Sequence, residues 1–320
     1  MAASGPDQRR LVADVGGTHT RIAVFDATKR GFEALGVYRN LQYPGLEAVI
    51  DAWLRDQQAA LPSTFCIAVA APPSHDIVRM SNTDWTFSCH DLATRFNLDR
   101  VSWLNDFQAN AYSLPYLEEG ERRLLYPGDA REGAKLAVMG PGTGLGGAVL
   151  EQVNGQATAT TCEPGHMGLA PSSADDLELF ALLLPRHGEL HAERLVSGPG
   201  LLLLYQALAE LRGEKAPATT PAEVSRLALQ EAEGLALEAL GRFCGFLGSA
   251  CGDFLLATGA YGGLYLAGGI LPGMWDFLQQ STFRQRLCEK GCMKEHLQAV
   301  PVYGITAAQP GLIGAARAPL

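Results

Sequence analysis

The sequence contains no Gly-Lys pair, so a Walker A loop is excluded and any nucleotide would have to be held by other means. It has no C-x-x-C spacing either; its seven cysteines are scattered and odd in number. That points to free thiols rather than a disulfide framework, and it excludes the tight C-x-x-C ligand pairs of structural zinc. Cys162 and His166 are four apart, as are Cys288 and Cys292 with His296 beyond, and neither set has the spacing of a zinc site, so no zinc is expected. Charge is sparse and tilted: 25 Lys and Arg face 34 Asp and Glu, for a net charge of −9. An acidic chain repels nucleic acid and anionic lipid at long range, so neither nucleic acid nor a membrane is expected as a partner. Residues 1–10 are small and polar, with no apolar core before Leu11, so no signal peptide is expected and the reading is a reducing, cytoplasmic setting. The most apolar long stretch, residues 234–260, carries Glu238, Arg242 and Asp253, which predicts a buried helix rather than a membrane span.

What is present is a well-cored α/β chain. At 320 residues and 47% hydrophobic composition it is long enough for two domains. A hidden repeat organises it. Residues 11–25 read LVADVGGTHTRIAVF and residues 136–150 read LAVMGPGTGLGGAVL. Aligned without a gap, Gly17 meets Gly142, Thr18 meets Thr143, Ala23 meets Ala148 and Val24 meets Val149. Each is an apolar strand, a Gly-rich turn and a second strand, which predicts two related domains that each open on a β-hairpin. Between and after them strands alternate with helices. A third strand is expected over 34–40, a helix over 45–60, strands over 64–70 and 101–104, helices near 173–185, 199–212 and 221–258, strands over 264–267 and 300–305, and a terminal helix over 312–316.

Three glycine-rich turns are candidate ligand sites. Asp14-Val15-Gly16-Gly17-Thr18 ends the first strand; its glycines let backbone N–H groups approach an anion, and Asp14 is placed to hold Mg²⁺ through water. Gly140-Pro141-Gly142-Thr143-Gly144-Leu145-Gly146-Gly147 contains a G-x-G-x-x-G, with Glu163 near the spacing of a ribose-binding acid. A dinucleotide fold requires a helix to open at the last glycines, and here the chain continues Ala148-Val149-Leu150-Glu151, which alternates as a strand does. The dinucleotide reading is therefore rejected in favour of a phosphate-binding hairpin. Ala267-Gly268-Gly269-Ile270 lies between an apolar strand and a helix, a setting suited to a nucleoside or phosphate against bare backbone. Each turn alone is equally a tight connection that merely needs glycine.

The polar residues cluster as well. Glu163 and His166 flank Pro164-Gly165, and Glu193 precedes the Gly198-Pro199-Gly200 break. Carboxylates and a histidine on loops suit the hydroxyls of a sugar. In WLNDFQA a buried strand ends abruptly at Asn105-Asp106 before the apolar residue Phe107. Asn-Asp there reads either as the cap of a helix starting at Phe107 or as a polar pair at the carboxyl edge of a sheet, where α/β folds bind ligands.

Taken together these motifs resemble bacterial glucokinases of the proteobacterial type, within the hexokinase/actin-like ATPase superfamily. The residues that carry the resemblance are Asp14 to Thr18 with Arg21, Asn82 with Trp85, Asn105-Asp106-Phe107, Gly142 to Gly146, Glu163 to His166, Ala192-Glu193-Arg194 with Ser197 to Gly200, Ala267 to Ile270, and Pro310 to Gly314, spread over nearly the whole chain. The resemblance implies an α/β fold of the two-lobed actin-like ATPase (ribonuclease H-like) kind, each lobe a mixed sheet opening on a hairpin, with the ligand cleft between the lobes. Residues 1–115 would form the small lobe, 116–305 the large lobe, and 306–320 a terminal helix returning to the small lobe. It implies ATP and glucose as substrates, Mg²⁺ with the ATP, and a homodimer. It implies Asp106 as the catalytic base and Asn105, Asp106, Glu163, His166 and Glu193 as the sugar-binding set. The nucleotide would be held by Asp14, Val15, Gly16, Gly17, Thr18, Gly142, Thr143, Gly144, Gly268 and Gly269. A kinase for another hexose, such as mannose or N-acetylglucosamine, and a non-catalytic sugar-sensing regulator are the alternatives. Two positions depart from the family pattern: His19-Thr20 stands where an Asn often precedes Arg21, and Pro164 stands where Gly is frequent.

Overall fold

The structure is a computed structural model that describes residues 9–58, 60–71, 76–80, 84–129, 133–230 and 234–319. Asn82 lies outside the described residues. In chain order the elements are β1 (Arg9–Val15), β2 (His19–Asp26), β3 (Gly31–Arg39), α1 (Leu46–Gln57), β4 (Thr64–Val69), β5 (Ile77–Arg79), β6 (Thr86–Ser88), α2 (Cys89–Phe96), β7 (Arg100–Asn105) and α3 (Asp106–Ser113). There follow β8 (Arg122–Tyr126), β9 (Leu136–Pro141), β10 (Leu145–Val153), β11 (Gln156–Cys162), α4 (Ala174–His187), α5 (Ala192–Leu195), α6 (Gly198–Arg212), α7 (Pro221–Gln230) and α8 (Leu235–Thr258). The chain ends with β12 (Gly263–Leu266), α9 (Trp275–Gln280), α10 (Phe283–Cys288), α11 (Lys294–Gln298), β13 (Val302–Ile305) and α12 (Pro310–Arg317). Two compact units result: unit 1 is Met1–Leu117, Val153–Ala159 and Ala307–Leu320; unit 2 is Glu118–Gln152 and Thr160–Thr306.

In unit 1 a five-stranded mixed sheet runs β3-β2-β1-β4-β7. β1 pairs antiparallel with β2 and parallel with β4, and β4 pairs parallel with β7. Because strand side chains alternate between faces, Leu11, Ala13 and Val15 join Phe65, Ile67 and Val69 in a core with Leu46, Val49, Ile50 and Trp53 of α1. The opposite face carries smaller side chains, Ala23 and Ala68, both fully buried. α12 packs on β1, β4 and α3. A Cβ added at Gly314 would come 1.7 Å from the Ala109 carbonyl oxygen, so the α12–α3 contact is backbone against backbone.

Unit 2 repeats this plan. Its sheet runs β11-β10-β9-β12-β13-β8, with β9–β10 antiparallel and β9–β12–β13 parallel. Both sheets thus place two antiparallel strands on one side of the hairpin's first strand and two parallel ones on the other, and β8 adds an antiparallel edge to the second. The two-residue turn Asn154-Gly155, with φ of 52° and 78°, joins β10 to β11 in the left-handed conformation that tight hairpins need. The core of unit 2 is built around α8, which is long and apolar enough to cross a membrane but is mostly buried among the helices and sheet of its own unit. Its charges are paired, Arg242 with Glu238, Asp175 and Asp176, and Asp253 with Lys290.

Several boundaries differ from the sequence reading. The helix expected over 45–60 ends at Gln57 because Gln58 turns left-handed, φ 48°, and its N–H closes on the Leu54 carbonyl. The third strand begins at Gly31 rather than 34, since β2 continues its pairing with β3 down to Asp26 and Gly31. The single helix expected over 221–258 is two, α7 and α8, with Gly234 at φ 125° ahead of the second. Gly147 to Val153 is strand, as the alternation requires, so no helix opens on the G-x-G-x-x-G.

Candidate active site

In unit 1 the parallel register sets Val15 beside Val69 and Val69 beside Asn105, so three strands end in one row at the carboxyl edge of the sheet. The first glycine turn and Asn105-Asp106 both leave from that row, about 10 Å apart at the usual strand spacing. Asn105 is the helix cap: its Oδ1 accepts from the N–H groups of Phe107 (2.9 Å) and Gln108 (3.4 Å), and its Nδ2 donates to the Ala71 carbonyl at 3.3 Å. α3 therefore begins at Asp106, one residue before the expected start. The Asp106 carboxylate is half-buried in the first turn, where the positive end of the helix dipole favours negative charge.

Asp14 lies opposite Arg21 in the β1–β2 register, and the Arg21 guanidinium stands 3.8 Å from its carboxylate. Burial raises the Asp14 pKa and the nearby Arg21 partly offsets this. Gly311 of α12 makes room for Asp14; a Cβ there would come 2.8 Å from its Cγ. Val15 is buried, so only its backbone is available to a ligand, whereas Gly17 and Thr18 are exposed.

In unit 2 the second and third glycine turns are packed backbone to backbone. A Cβ at Gly140 would come 2.1 Å from the Ala267 carbonyl oxygen, and one at Gly268, which has φ +100°, would come 2.3 Å from that of Pro141. Gly142 and Gly269 each face open space. The turn itself is closed by Gly142 N–H donating to the Gly144 carbonyl at 2.7 Å, and Gly198 N–H donates to the Gly142 carbonyl at 2.8 Å. Ser197 caps α6 by accepting from the Gly200 N–H, which brings the N-terminus of a 15-residue helix to the same turn.

Glu193 ties that turn to the sugar-type loop. Its Oε2 accepts from the Leu145 N–H at 2.8 Å, and a Cβ at Gly144 or Gly165 would come within 2.5 or 3.1 Å of the same oxygen. Glu163 and His166 are exposed and flank the buried residues Pro164 and Gly165. The Gly165 carbonyl contacts His191 Nδ1 at 3.0 Å; since a carbonyl only accepts, this contact needs the proton on Nδ1. The His166 and His191 rings are 5.1 Å apart. Pro164 packs its ring on Gly147, 2.8 Å from where a Cβ would lie, which gives the departure at 164 a packing partner. Unit 2 thus brings together Glu163, His166, Glu193, the 142–144 turn and the 268–269 turn; unit 1 brings together Asp14, the 16–18 turn, Asn105 and Asp106.

A family model described as Glucokinase matches residues 11–319, almost the whole chain. The chain belongs to the glucokinase family. Among curated relatives, the glucokinase of Aromatoleum aromaticum is 40% identical over 310 residues, covering 97% of this chain and 94% of that protein. The glucokinase of Psychromonas ingrahamii is 38% identical, covering 96% of each. The crystal structure of a glucokinase from an Antarctic psychrotroph superposes with a TM-score of 0.89 at 36% identity, covering 97% of this chain and 98% of that one. A glucokinase from Balamuthia mandrillaris, solved in complex with glucose, shares the fold at TM-score 0.80 and 18% identity, covering 98% and 94%. This family member is accordingly an ATP-dependent hexose kinase of the two-lobed actin-like fold.

Three contacts near the site have no signal in the sequence. Asn40, just after β3, braces the first turn, Gly311 makes room for Asp14, and His191 touches the 163–166 turn. All three act across long sequence separations, which periodicity and local motifs do not register. Among the described residues no three His, Cys, Asp or Glu side chains group so as to hold a metal ion.

Proposed function

We propose that this kinase transfers the γ-phosphoryl of ATP to the 6-hydroxyl of glucose, giving glucose 6-phosphate and ADP. The observation that carries the proposal is Asp106, a half-buried carboxylate at the first turn of α3 on the same sheet edge as the 16–18 turn. Phosphoryl transfer has a loose transition state, so the protein mainly positions the reactants and offsets charge. A sugar hydroxyl attacks poorly until its proton is drawn away, and a carboxylate within hydrogen-bond reach does so as general base. Asp106 takes that role. Asn105, Glu163, His166 and Glu193 orient the sugar hydroxyls, and the 16–18, 142–144 and 268–269 turns offer backbone N–H groups to the nucleotide.

Asp14 suits Mg²⁺, which keeps most of its waters and takes one or two carboxylates together with phosphate oxygens, and a single half-buried carboxylate beside a phosphate-type turn meets that need. When bound, the ion supplies positive charge against the phosphate oxygens. The proposal includes a homodimer in the cytoplasm, resting on the family resemblance, with sedimentation of the 34.1 kDa chain as its check.

A coupled assay with ATP and a panel of hexoses tests the reading. Glucose is expected to give the highest kcat/KM. A higher value for mannose or N-acetylglucosamine would reassign the sugar, and no turnover of any hexose would remove the proposal.

A further inference from the structure

The first glycine turn is not held by its own hairpin alone. Asn40, immediately after β3, is 3% exposed and every polar group it carries is engaged. Its Nδ2 donates to the Gly16 carbonyl at 2.7 Å, and its Oδ1 accepts from the Thr20 hydroxyl at 2.9 Å. Its backbone N–H donates to the Thr18 carbonyl at 2.9 Å, and its own carbonyl accepts from the Tyr43 N–H at 3.0 Å. Thr20 is fully buried. The Gly16 carbonyl fixes which way the amide faces: it only accepts, so the NH₂ end must meet it, and Oδ1 is left to accept from the Thr20 hydroxyl.

This arrangement sets the direction of one particular donor. In a planar trans peptide the C=O and N–H point to opposite sides. Holding the Gly16 carbonyl inward on Asn40 therefore turns the Gly17 N–H, which shares that peptide, to the other side, where Gly17 is exposed. A glycine in a short turn has wide conformational freedom, so without the brace that peptide can rotate and its N–H loses a fixed direction.

We infer that Asn40 is a positioning residue for phosphoryl transfer, which, together with Thr20, holds the 16–17 peptide so that the Gly17 N–H is presented to the nucleotide's phosphates. The inference rests on reading the 16–18 turn as a phosphate loop. Asn40 touches no substrate; it acts through the peptide it holds. Misplacing a binding group by about 1 Å costs up to about 10²-fold in turnover.

The test uses the full chain and reads the KM for ATP and kcat by coupled assay, glucose affinity by calorimetric titration, and the melting temperature. Asn40→Ala is expected to raise the KM for ATP about tenfold or more, while glucose affinity stays within about twofold. Asn40→Asp, which sets a carboxylate against the Gly16 carbonyl, is expected to do at least as much. A merely structural brace would lower the melting temperature and leave the ATP KM and kcat of the folded fraction unchanged. Gly17→Glu is the control for the underlying reading, since a carboxylate in the turn repels phosphate.

If Gly17→Glu leaves the KM for ATP unchanged, the phosphate-loop reading fails and the inference with it. If Gly17→Glu raises it but Asn40→Ala does not, only the inference is overturned. Should the Asn40 variants not fold, the Thr20 pair decides. Thr20→Val, which removes the hydroxyl but keeps the shape, is expected to raise the KM for ATP about threefold, with Thr20→Ser restoring it. Equal values for the two Thr20 variants would overturn the proposal.

Discussion

The two glycine hairpins of this kinase look like copies in sequence and are held in different ways. The first turn, between β1 and β2, adds a side-chain brace to its backbone bonds: the Gly16 N–H meets the His19 carbonyl and the Asn40 N–H the Thr18 carbonyl, while the Asn40 side chain pins the Gly16 carbonyl and Thr20 pins Asn40. The second, between β9 and β10, is packed backbone to backbone: Gly140 lies on Ala267, Gly268 on Pro141, and the Gly198 N–H on the Gly142 carbonyl, with the Glu193 side chain on the Leu145 N–H at its exit. Even the register differs. Val15 pairs with Thr20 and leaves four residues outside the pairing, whereas Pro141 pairs with Leu145 and leaves three. A shared strand order therefore does not carry over the way each turn is fixed. A common device remains: in each unit a glycine makes room for a carboxylate, Gly311 for Asp14 and Gly144 for Glu193.

The largest effect expected from this contrast is on stability. Gly268→Ala sets a Cβ 2.3 Å from a backbone carbonyl at a φ of +100°, and neither partner is a flexible side chain. It should cost about 3 kcal/mol or more in urea unfolding, whereas Gly16→Ala, whose nearest neighbour would be at 3.4 Å, should cost about 1 kcal/mol or less. Equal costs would break the distinction between a backbone-packed turn and a side-chain-braced one.

Next come the two carboxylate pockets. Gly311→Ala must displace Asp14, and a rise of about tenfold in the KM for ATP is expected with glucose affinity little changed. Gly144→Ala must displace Glu193, which also contacts Gly165 in the sugar-type loop, so the KM values for ATP and for glucose should rise together. If Gly144→Ala moved only one of them, Glu193 would not join the two loops as described. Smallest is Glu193→Gln, which keeps an acceptor for the Leu145 N–H but loses the charge. About three- to tenfold weaker glucose binding in calorimetry is expected, since hydrogen bonds to charged groups exceed neutral ones by about 1 kcal/mol.

Local pattern made much of this legible. The hairpins, the strand ending at Asn105 and the strand after the G-x-G-x-x-G follow from alternation and abrupt polarity, and the Asn before a helix marked its cap. What pattern missed is non-local. The gapless alignment of residues 11–25 with 136–150 hides the register difference, because pairing is set by which residues meet across the turn. Asn40 acts on a residue 24 positions away and Glu193 on one 48 away, distances that only the folded sheet closes. The Asn-Asp pair suits both a cap and a site; the Asn105 side chain caps α3, and its place in a sugar-binding set is part of the proposal.

In the proposed mechanism Asp106 draws the proton from the attacking hydroxyl. Steady-state kinetics of Asp106→Asn, paired with calorimetric titration of glucose, test it most directly. The expected result is a kcat lower by about 10²–10⁴-fold with glucose affinity held within about tenfold. Turnover close to that of the parent enzyme, with glucose still bound, would contradict it.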